Sequence, residues 1–243
     1  MEPVDFCAVR FVIPHLYNKR YNLPIVPVYS GSGTKRLVIC VHYWCGSENT
    51  FRHIAKCAGK ESTVIRLCFP SKIINRNIEE SIKTINELFD KAVQLIDNNR
   101  KKYQEVVLVG ASFGSNAVLK LATLREVDKI VLNTFVGDFT KNLLTSKGLN
   151  TVVRLHDEKG LCDDPYEFIS ADKTLDGIKG NPEFYVTVSK KDYFIPKENY
   201  ENALKKLKSL PVRKKIYTER NLGHILTIYK HLLSSAQKEF IFG

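Results

Sequence analysis

The amino-acid sequence predicts an α/β protein with a mostly parallel central sheet and helices on both faces. Three observations support this fold class. Short unbroken apolar runs, such as residues 37–41, are typical of strands buried on both faces. Longer segments with apolar residues at helical spacing lie between these runs, and the longest covers residues 78–98. The two kinds of segment alternate, which favours parallel strands joined by helical crossovers.

In the first half of the chain, the predicted elements are mostly strands, followed by the longest helix. The sequence predicts extended segments at 6–13 and 25–29, a turn at 31–33, a central strand at 35–43, a short helix at 49–59, a strand at 62–69 and an amphipathic helix at 78–98. Gly59 is placed to end the short helix, and Pro70 stops the strand at 62–69.

The second half continues the alternation. It predicts strands at 105–110, 129–136, 184–188 and 212–218, with helices at 115–124, 197–209 and 225–240. The stretch between Gly137 and Gly180 is more polar and less regular. The sequence therefore predicts a single domain over residues 1–243, with a small cap or lid insertion at 138–180. Apolar residues of that insertion either line an acyl pocket or fold the insertion onto the body, and both interpretations stay open.

The chain is basic, with a formal net charge of +11. Its basic clusters, at 100–102, 190–191, 205–208 and 213–215, belong to different predicted elements. A nucleic-acid interface needs such clusters on one face. A solvated surface is therefore the favoured interpretation, and it predicts no specific nucleic-acid binding. Attraction to anionic substrates or to membrane surfaces is the alternative.

The cysteines and the chain ends predict the cellular compartment. The six cysteines are scattered without metal-ligand spacing, and Cys40, Cys57 and Cys68 are expected to be reduced core residues. No apolar run is long enough to cross a bilayer, and the N-terminus does not have the pattern of a secretory signal. Together these features predict a cytoplasmic protein with no transmembrane segment, no metal and no cofactor.

The most informative motif is the pentapeptide from Gly110 to Gly114, which reads Gly-Ala-Ser-Phe-Gly. An apolar strand precedes it and a helix-forming segment follows. In that setting a tight turn can present Ser112 as a nucleophile, because glycines two residues away on each side remove the Cβ clashes. The backbone N–H of Phe113 then faces the same space. The alternative is a structural turn in which the serine has no chemical role.

Two further candidate side chains lie after predicted strands. Asp192 lies just past the strand at 184–188, with Pro196 four residues later, and His224 follows Gly223 where the last helix starts. A serine hydroxyl becomes nucleophilic when a histidine, oriented by a carboxylate, takes its proton. Because parallel strands end at one edge of a sheet, these side chains are expected to meet there. A turn residue at 192 and a helix-start residue at 224 are the structural alternatives.

The serine turn, the aspartate that is followed by a proline, and the Gly-His pair at the last helix together resemble the α/β-hydrolase fold, from about residue 36 to the end. The resemblance implies that Ser112 is the nucleophile, His224 the general base and acid, and Asp192 the orienting acid. Asp138 is the competing acid, because some relatives place the carboxylate after the strand at 129–136.

The resemblance also implies an oxyanion hole. One donor is the N–H of Phe113, and the other comes from the loop that starts at His42. Trp44 matches the donor position, while Tyr43 replaces the usual glycine and is the alternative donor. His42 is expected to pack under this loop. Tyr43 and Phe194 are candidate substrate-pocket residues.

The implied activity is that of a serine hydrolase, which cleaves a carboxylester or thioester through an acyl-enzyme intermediate. The expected partner is a small acyl substrate, anionic or lipid-like. A peptidase or amidase of the same fold is the enzymatic alternative. A non-catalytic binding protein of this fold is the other alternative, since fold does not determine function. The presence of Ser112, Asp192 and His224 together favours the enzyme.

Overall fold

The computed structural model describes residues 24–74, 77–146 and 164–243. Within these ranges the centre of the molecule is a seven-stranded sheet. Its strands are β1 (Val26–Ser30), β2 (Arg36–Val41), β3 (Ser62–Cys68), β4 (Glu105–Ala111), β5 (Lys129–Asn133), β6 (Glu183–Ser189) and β7 (Lys214–Glu219). They lie in the order β1-β3-β2-β4-β5-β6-β7, with β1 antiparallel to β3 and every other pair parallel. The predicted fold class is confirmed; the extended segment predicted at 6–13 lies outside the described residues.

Helices connect most of these strands. The α-helices of the described ranges are α1 (Arg52–Lys56), α2 (Ile78–Asn99), α3 (Phe113–Leu124), α4 (Phe139–Thr145), α5 (Ala171–Thr174), α6 (Glu201–Ser209), α7 (His224–Leu233) and α8 (Ser235–Phe242). Short 3₁₀ helices cover Glu48–Phe51, Ser71–Ile73, Glu167–Ile169, Leu175–Gly177 and Lys197–Asn199. Among these helices, none combines the length and the apolar character that a bilayer crossing requires.

Several predicted boundaries differ from those of the structure. The short helix predicted at 49–59 starts as a 3₁₀ turn and ends at Lys56. The strand predicted to reach residue 136 stops at Asn133, because Thr134 takes a left-handed φ of 58°. The single helix predicted at 225–240 is two helices. Ser234 is extended there, and its hydroxyl accepts the N–H of Gln237 at 3.2 Å, which caps the second helix.

The hydrophobic core lies on both faces of the sheet. Along β2, Leu37 and Ile39 point to one face while Val38 and Cys40 point to the other, and all four are fully buried. Helices α2, α3 and α6 cover the first face, and α1, α7 and α8 cover the second. Burial on both faces explains why the central strands are unbroken apolar runs in the sequence.

The cysteines follow the core with one exception. Cys40 and Cys68 are buried free thiols, as predicted. Cys57 is exposed, so the prediction that it belongs to the core is wrong. It caps the end of α1, and the core position at this helix end is taken by Ala58. Cys7 and Cys162 lie outside the described residues.

The described part of the predicted insertion packs on the body. Leu143 and Ile169 are buried in the core cluster of the first sheet face. The side-chain amide of Asn116, on α3, donates to Ile169 O at 2.9 Å. These contacts support the interpretation in which apolar residues fold the insertion onto the body. The apolar residues predicted within 147–163 lie outside the described residues.

The register of the sheet brings several loops to one edge. A row of paired residues crosses it near the carboxyl ends, where Val41 pairs with Gly110, Gly110 with Leu132 and Leu132 with Val186. The loops after β2, β4, β5 and β6 therefore start close together. In open parallel sheets this is the edge where ligands bind.

A buried polar network lies between β6, β7 and α7. The His231 ring nitrogens lie 2.9 Å from Tyr185 Oη and 2.9 Å from Glu219 Oε1. A neutral imidazole with its proton on Nε2 satisfies both contacts, since it donates to Glu219 and accepts from Tyr185. Burial lowers the pKa of His231 below its ordinary value of 6.5, although the Glu219 carboxylate acts in the opposite direction.

Folding stability is expected to depend on His231 in mild acid. In the unfolded chain the imidazole binds a proton more readily than in the folded protein, so the free energy of unfolding rises with pH in this range. The stabilising contribution is complete above pH 6.5 and is lost as the pH falls through the lower folded-state pKa. Urea unfolding from pH 8 to pH 5 measures the slope. His231→Gln should reduce it, whereas His53→Gln, at an exposed position, should keep the wild-type slope. Equal slopes in wild type and His231→Gln would contradict this assignment.

Candidate active site

Backbone strain is concentrated at the carboxyl edge of the sheet. Of the four non-glycine residues with positive φ in the described part, three lie here: Cys45 after β2 (61°), Ser112 after β4 (52°) and Thr134 after β5 (58°). A β-branched residue such as threonine adopts this conformation only when its surroundings enforce it. Such strain collects at functional sites, and this edge is therefore the candidate active site.

Ser112 occupies the sharp turn between β4 and α3. Its φ of 52° and ψ of −118° reverse the chain within one residue. The Ser112 N–H donates to Asn133 O at 2.9 Å, and its carbonyl accepts the N–H of Ser115 at 2.8 Å. The turn is thus held both to the neighbouring strand and to the helix that follows, and Ser112 itself is only half-buried.

The two flanking glycines are required by close backbone approach. A Cβ on Gly110 would lie 2.4 Å from Gly114 O, and a Cβ on Gly114 would lie 1.9 Å from Val41 O. The second contact presses the start of α3 against the end of β2. It thereby brings the Ser112 turn next to the loop that starts at His42.

Gly114→Ala is expected to destabilise the protein by about 1–3 kcal/mol, because a backbone carbonyl occupies the place of the new methyl group. Gly177→Ala is the matched control. A Cβ there would meet Thr123 Cγ2 at an ordinary 3.4 Å, so its stability should stay near that of wild type. Urea unfolding measures both variants, and similar midpoints for the two would contradict the packing argument.

The loop after β2 forms a turn with two central residues, Trp44 and Cys45. Gly46 N–H donates to Tyr43 O at 2.8 Å and closes the turn. The N–H of Trp44 takes no part in that closing bond, while its indole N–H donates to Ser71 O at 2.9 Å and anchors the ring. The loop thus presents a backbone donor on a fixed turn.

His42 lies beneath this loop as a packing residue. Its ring stacks on Phe69, with ring centroids 3.8 Å apart, and its Nδ1 lies 2.8 Å from Tyr43 O. Cys45 is half-buried, and burial raises the pKa of its thiol to about 12. A thiol protonated at neutral pH is a poor nucleophile, so Cys45 is not a candidate for that role.

Asp192 and His224 are in direct contact. His224 Nδ1–H donates to Asp192 Oδ2 at 2.6 Å, and His224 and Asp192 are 6% and 9% exposed. The other carboxylate oxygen, Oδ1, accepts the N–H of Phe194 at 2.9 Å and that of Ile195 at 2.8 Å. Three donors therefore hold the carboxylate in one orientation, which in turn orients the imidazole.

The loops that follow β6 and β7 are joined to each other beside the Asp192–His224 contact. Ser189, the last residue of β6, donates its hydroxyl to Leu222 O in the loop that precedes α7. The same hydroxyl accepts the N–H of Lys191 at 3.2 Å. The loop that carries Asp192 is thereby tied to the loop that leads to His224.

Asp138, the competing acid, has a different role in the structure. Its Oδ1 accepts the N–H of Lys141 at 2.8 Å, so it is the N-cap of α4. No hydrogen bond between described residues joins it to His224. The imidazole has Asp192 as its carboxylate partner.

Ser112 and His224 make no hydrogen bond to each other in the described residues. With Nδ1 engaged by Asp192, Nε2 is the nitrogen of His224 that remains for proton transfer. Catalytic serine–histidine contacts are often long before substrate binds, so this arrangement is compatible with a nucleophile and its base.

The two candidate pocket residues flank this constellation. The ring of Phe194 is half-buried, and its centroid lies 5.5 Å from that of His224. The Tyr43 hydroxyl lies 3.4 Å from the Tyr229 hydroxyl on α7. Burial raises the pKa of Tyr43, which keeps the phenol protonated at neutral pH. Both residues contact elements of the site, and their role toward a substrate stays a prediction.

Asn133 supports the serine turn, a role that the sequence patterns did not predict. It is fully buried at the end of β5, and its backbone oxygen accepts the Ser112 N–H. Its side-chain amide donates to Gly110 O at 3.2 Å, and its Oδ1 accepts Gln237 Nε2–H at 3.2 Å. A polar residue that ends an apolar strand beside the serine motif was the available signal.

No protein-family model and no curated protein matches the sequence. Solved structures do match it. Esterase B from Lactobacillus Rhamnosis (HN001) has 13% identity and a TM-score of 0.62, over 97% of this chain and 89% of that chain. A thermostable esterase from Pseudomonas putida ECU1011 has 14% identity and a TM-score of 0.63, over 96% and 86%.

A third similar structure belongs to a larger protein. The acylaminoacyl peptidase of Pyrococcus horikoshii has 10% identity and a TM-score of 0.64, over 90% of this chain but 38% of that one. All three proteins share one architecture, and likeness at such low identity is evidence about the fold. The chain has the α/β-hydrolase fold.

Proposed function

We propose that this protein is a serine hydrolase that cleaves carboxylesters or thioesters through an acyl-enzyme intermediate. The observation that carries the proposal is the buried 2.6 Å hydrogen bond between His224 Nδ1 and Asp192 Oδ2. It joins a base to its orienting carboxylate at the edge of the sheet where Ser112 occupies a strained turn. The esterases among the similar structures support the same reaction class.

The proposed proton path uses Nε2 of His224, the ring nitrogen that the contact with Asp192 leaves available. Ser112 Oγ attacks the acyl carbonyl while His224 Nε2 takes its proton. The resulting imidazolium keeps its Nδ1–H on Asp192, whose negative charge stabilises it. His224 then returns the proton to the leaving group, which departs. In the second step a water molecule gives a proton to His224 and attacks the acyl-enzyme carbonyl. His224 returns that proton to Ser112 Oγ, and the carboxylic acid is released.

Two backbone N–H groups are proposed to bind the oxyanion. Phe113 is the first residue of α3, so its N–H has no carbonyl partner within the helix. The helix N-terminus adds a favourable partial positive charge at this point. The second donor is the N–H of Trp44, which the Tyr43–Gly46 turn leaves available. Such donors stabilise the charge that develops in the transition state.

Small acyl esters or thioesters are the proposed substrates, because their leaving groups need less protonation than an amine. The segment 138–180 is proposed as a cap over this site, and Tyr43 and Phe194 as pocket residues. We also propose a cytoplasmic location, which the free thiols of the four cysteines in the described part support.

A fluorophosphonate probe tests the proposed chemistry. The wild-type protein should gain the mass of one probe molecule, and peptide mapping should place it on Ser112. A panel of p-nitrophenyl esters, acyl-CoA thioesters and anilides then separates the leaving groups. Hydrolysis of esters and thioesters well above anilides is expected. Faster anilide hydrolysis would replace the proposal with an amidase, and a protein that neither reacts with the probe nor turns over would be a binding protein.

A further inference from the structure

A basic depression lies on the second face of the sheet, beside α1. Its volume is about 390 Å³, within the range of small-molecule sites. Six residues line it: Ser30, Asn49, Arg52, Ala55, Lys56 and Arg66. Three of them carry a positive charge and none carries a negative charge. No residue of the candidate active site is among them.

Arg66 forms the inner wall of the depression. It pairs with Cys40 in the register of β2 and β3, so it projects from the sheet face that α1 covers. Its Nη2 donates to Ser30 Oγ at 3.3 Å, whereas its Nε is buried and makes no hydrogen bond. A buried donor without an acceptor costs free energy. The cost is higher when the donor belongs to a charged guanidinium group that has no carboxylate partner. An acceptor with several oxygens would satisfy this side chain.

Arg52 and Lys56 form the outer wall. They lie four residues apart on α1, both exposed, so their like charges are neighbours on one helix face. Within the described ranges, none of the three cations forms a salt bridge. Glu48 is the acidic residue closest in sequence to the residues of this wall, but it does not line the depression. Its carboxylate accepts a hydrogen bond from the Asn49 side-chain amide at 3.3 Å.

We propose that this depression binds the phosphate group of an anionic ligand. The two guanidinium groups supply planar, forked donors that match phosphate oxygens, and Lys56 adds a point charge. The Asn49 amide and the Ser30 hydroxyl supply neutral polar contacts. The site is separate from Ser112 and its partners, so it adds an anion-recognition function to the proposed hydrolase and does not depend on it.

Isothermal titration calorimetry with inorganic phosphate tests the proposal, at constant ionic strength in a chloride background. Wild type should bind one phosphate ion per chain. Arg66→Gln should weaken binding by about tenfold or more, the effect of losing a charge-assisted hydrogen bond. Lys83→Gln, which removes one exposed positive charge from α2, is the matched control and should bind like wild type. Absence of binding by wild type, or equal weakening in both variants, would overturn the proposal.

Further variants keep the test informative if Arg66→Gln fails to fold. Arg52→Gln and Lys56→Gln change exposed side chains, and each should weaken phosphate binding while the thermal midpoint without phosphate stays near that of wild type. Wild-type affinity in both would refute the site.

The source of the phosphate is separated by two probes, glycerol 3-phosphate and phosphatidic acid in phosphatidylcholine vesicles. Binding of the soluble ester with no vesicle binding would indicate a metabolite site. Vesicle binding that Arg52→Gln reduces and Lys83→Gln preserves would indicate a lipid headgroup. Equal reduction by both would indicate general surface charge and would contradict the proposal.

Discussion

Ser112→Ala is expected to lower ester turnover by about 10⁶-fold, since loss of the nucleophile removes the acyl-enzyme route altogether. The variant should also lose all labelling by a fluorophosphonate probe. The turn itself should persist, because the steric demand falls on Gly110 and Gly114 and the Ser112 N–H still reaches Asn133 O. Steady-state kinetics with a p-nitrophenyl ester, together with a thermal melt, separates lost chemistry from lost folding.

Ser115→Ala is the matched control for this experiment. Ser115 lies three residues further along, is fully buried, and its hydroxyl donates to Asn133 O at 3.4 Å. This variant should keep its probe labelling and most of its turnover. If Ser112→Ala retained activity, or if labelling disappeared with Ser115 and persisted without Ser112, the nucleophile would be assigned to the wrong residue.

Asp192→Asn is expected to lower turnover by about 10⁴-fold with little change in stability. The amide oxygen of the new side chain can still accept the N–H groups of Phe194 and Ile195. Its NH₂ group then faces His224 Nδ1 and favours the tautomer with the proton on Nε2, which cannot take a proton from Ser112. The expected effect is therefore on kcat, with KM largely retained.

Asp138→Asn is the control for the acid. Asparagine is as good an N-cap as aspartate, so the start of α4 should survive and turnover should stay within a few fold of wild type. A large loss in Asp138→Asn with a small loss in Asp192→Asn would assign the acid to the end of β5. Small losses of turnover in both variants would mean that neither carboxylate takes part in the mechanism.

Local signals in the sequence were enough for the fold and for the position of the serine. The strand predicted at 105–110 is β4, and the serine turn lies between it and α3. Apolar runs and glycine spacing report on a residue and its close neighbours, and burial on both faces makes such runs continuous. The predicted ends of elements were wrong where a single residue changes the direction of the backbone, as Ser234 and Thr134 do.

The sequence by itself determined the α/β fold class, the order of the seven described strands along the chain, and a serine between two glycines at a strand end. The tertiary structure decided which carboxylate meets His224, since Asp138 and Asp192 both follow strands and it is the loop with Asp192 that reaches His224. The tertiary structure also places the Asn133 side chain against the serine turn and leaves the Nε of Arg66 without an acceptor. Contacts of this kind depend on strand register and loop docking between residues far apart in the chain, which no local pattern encodes.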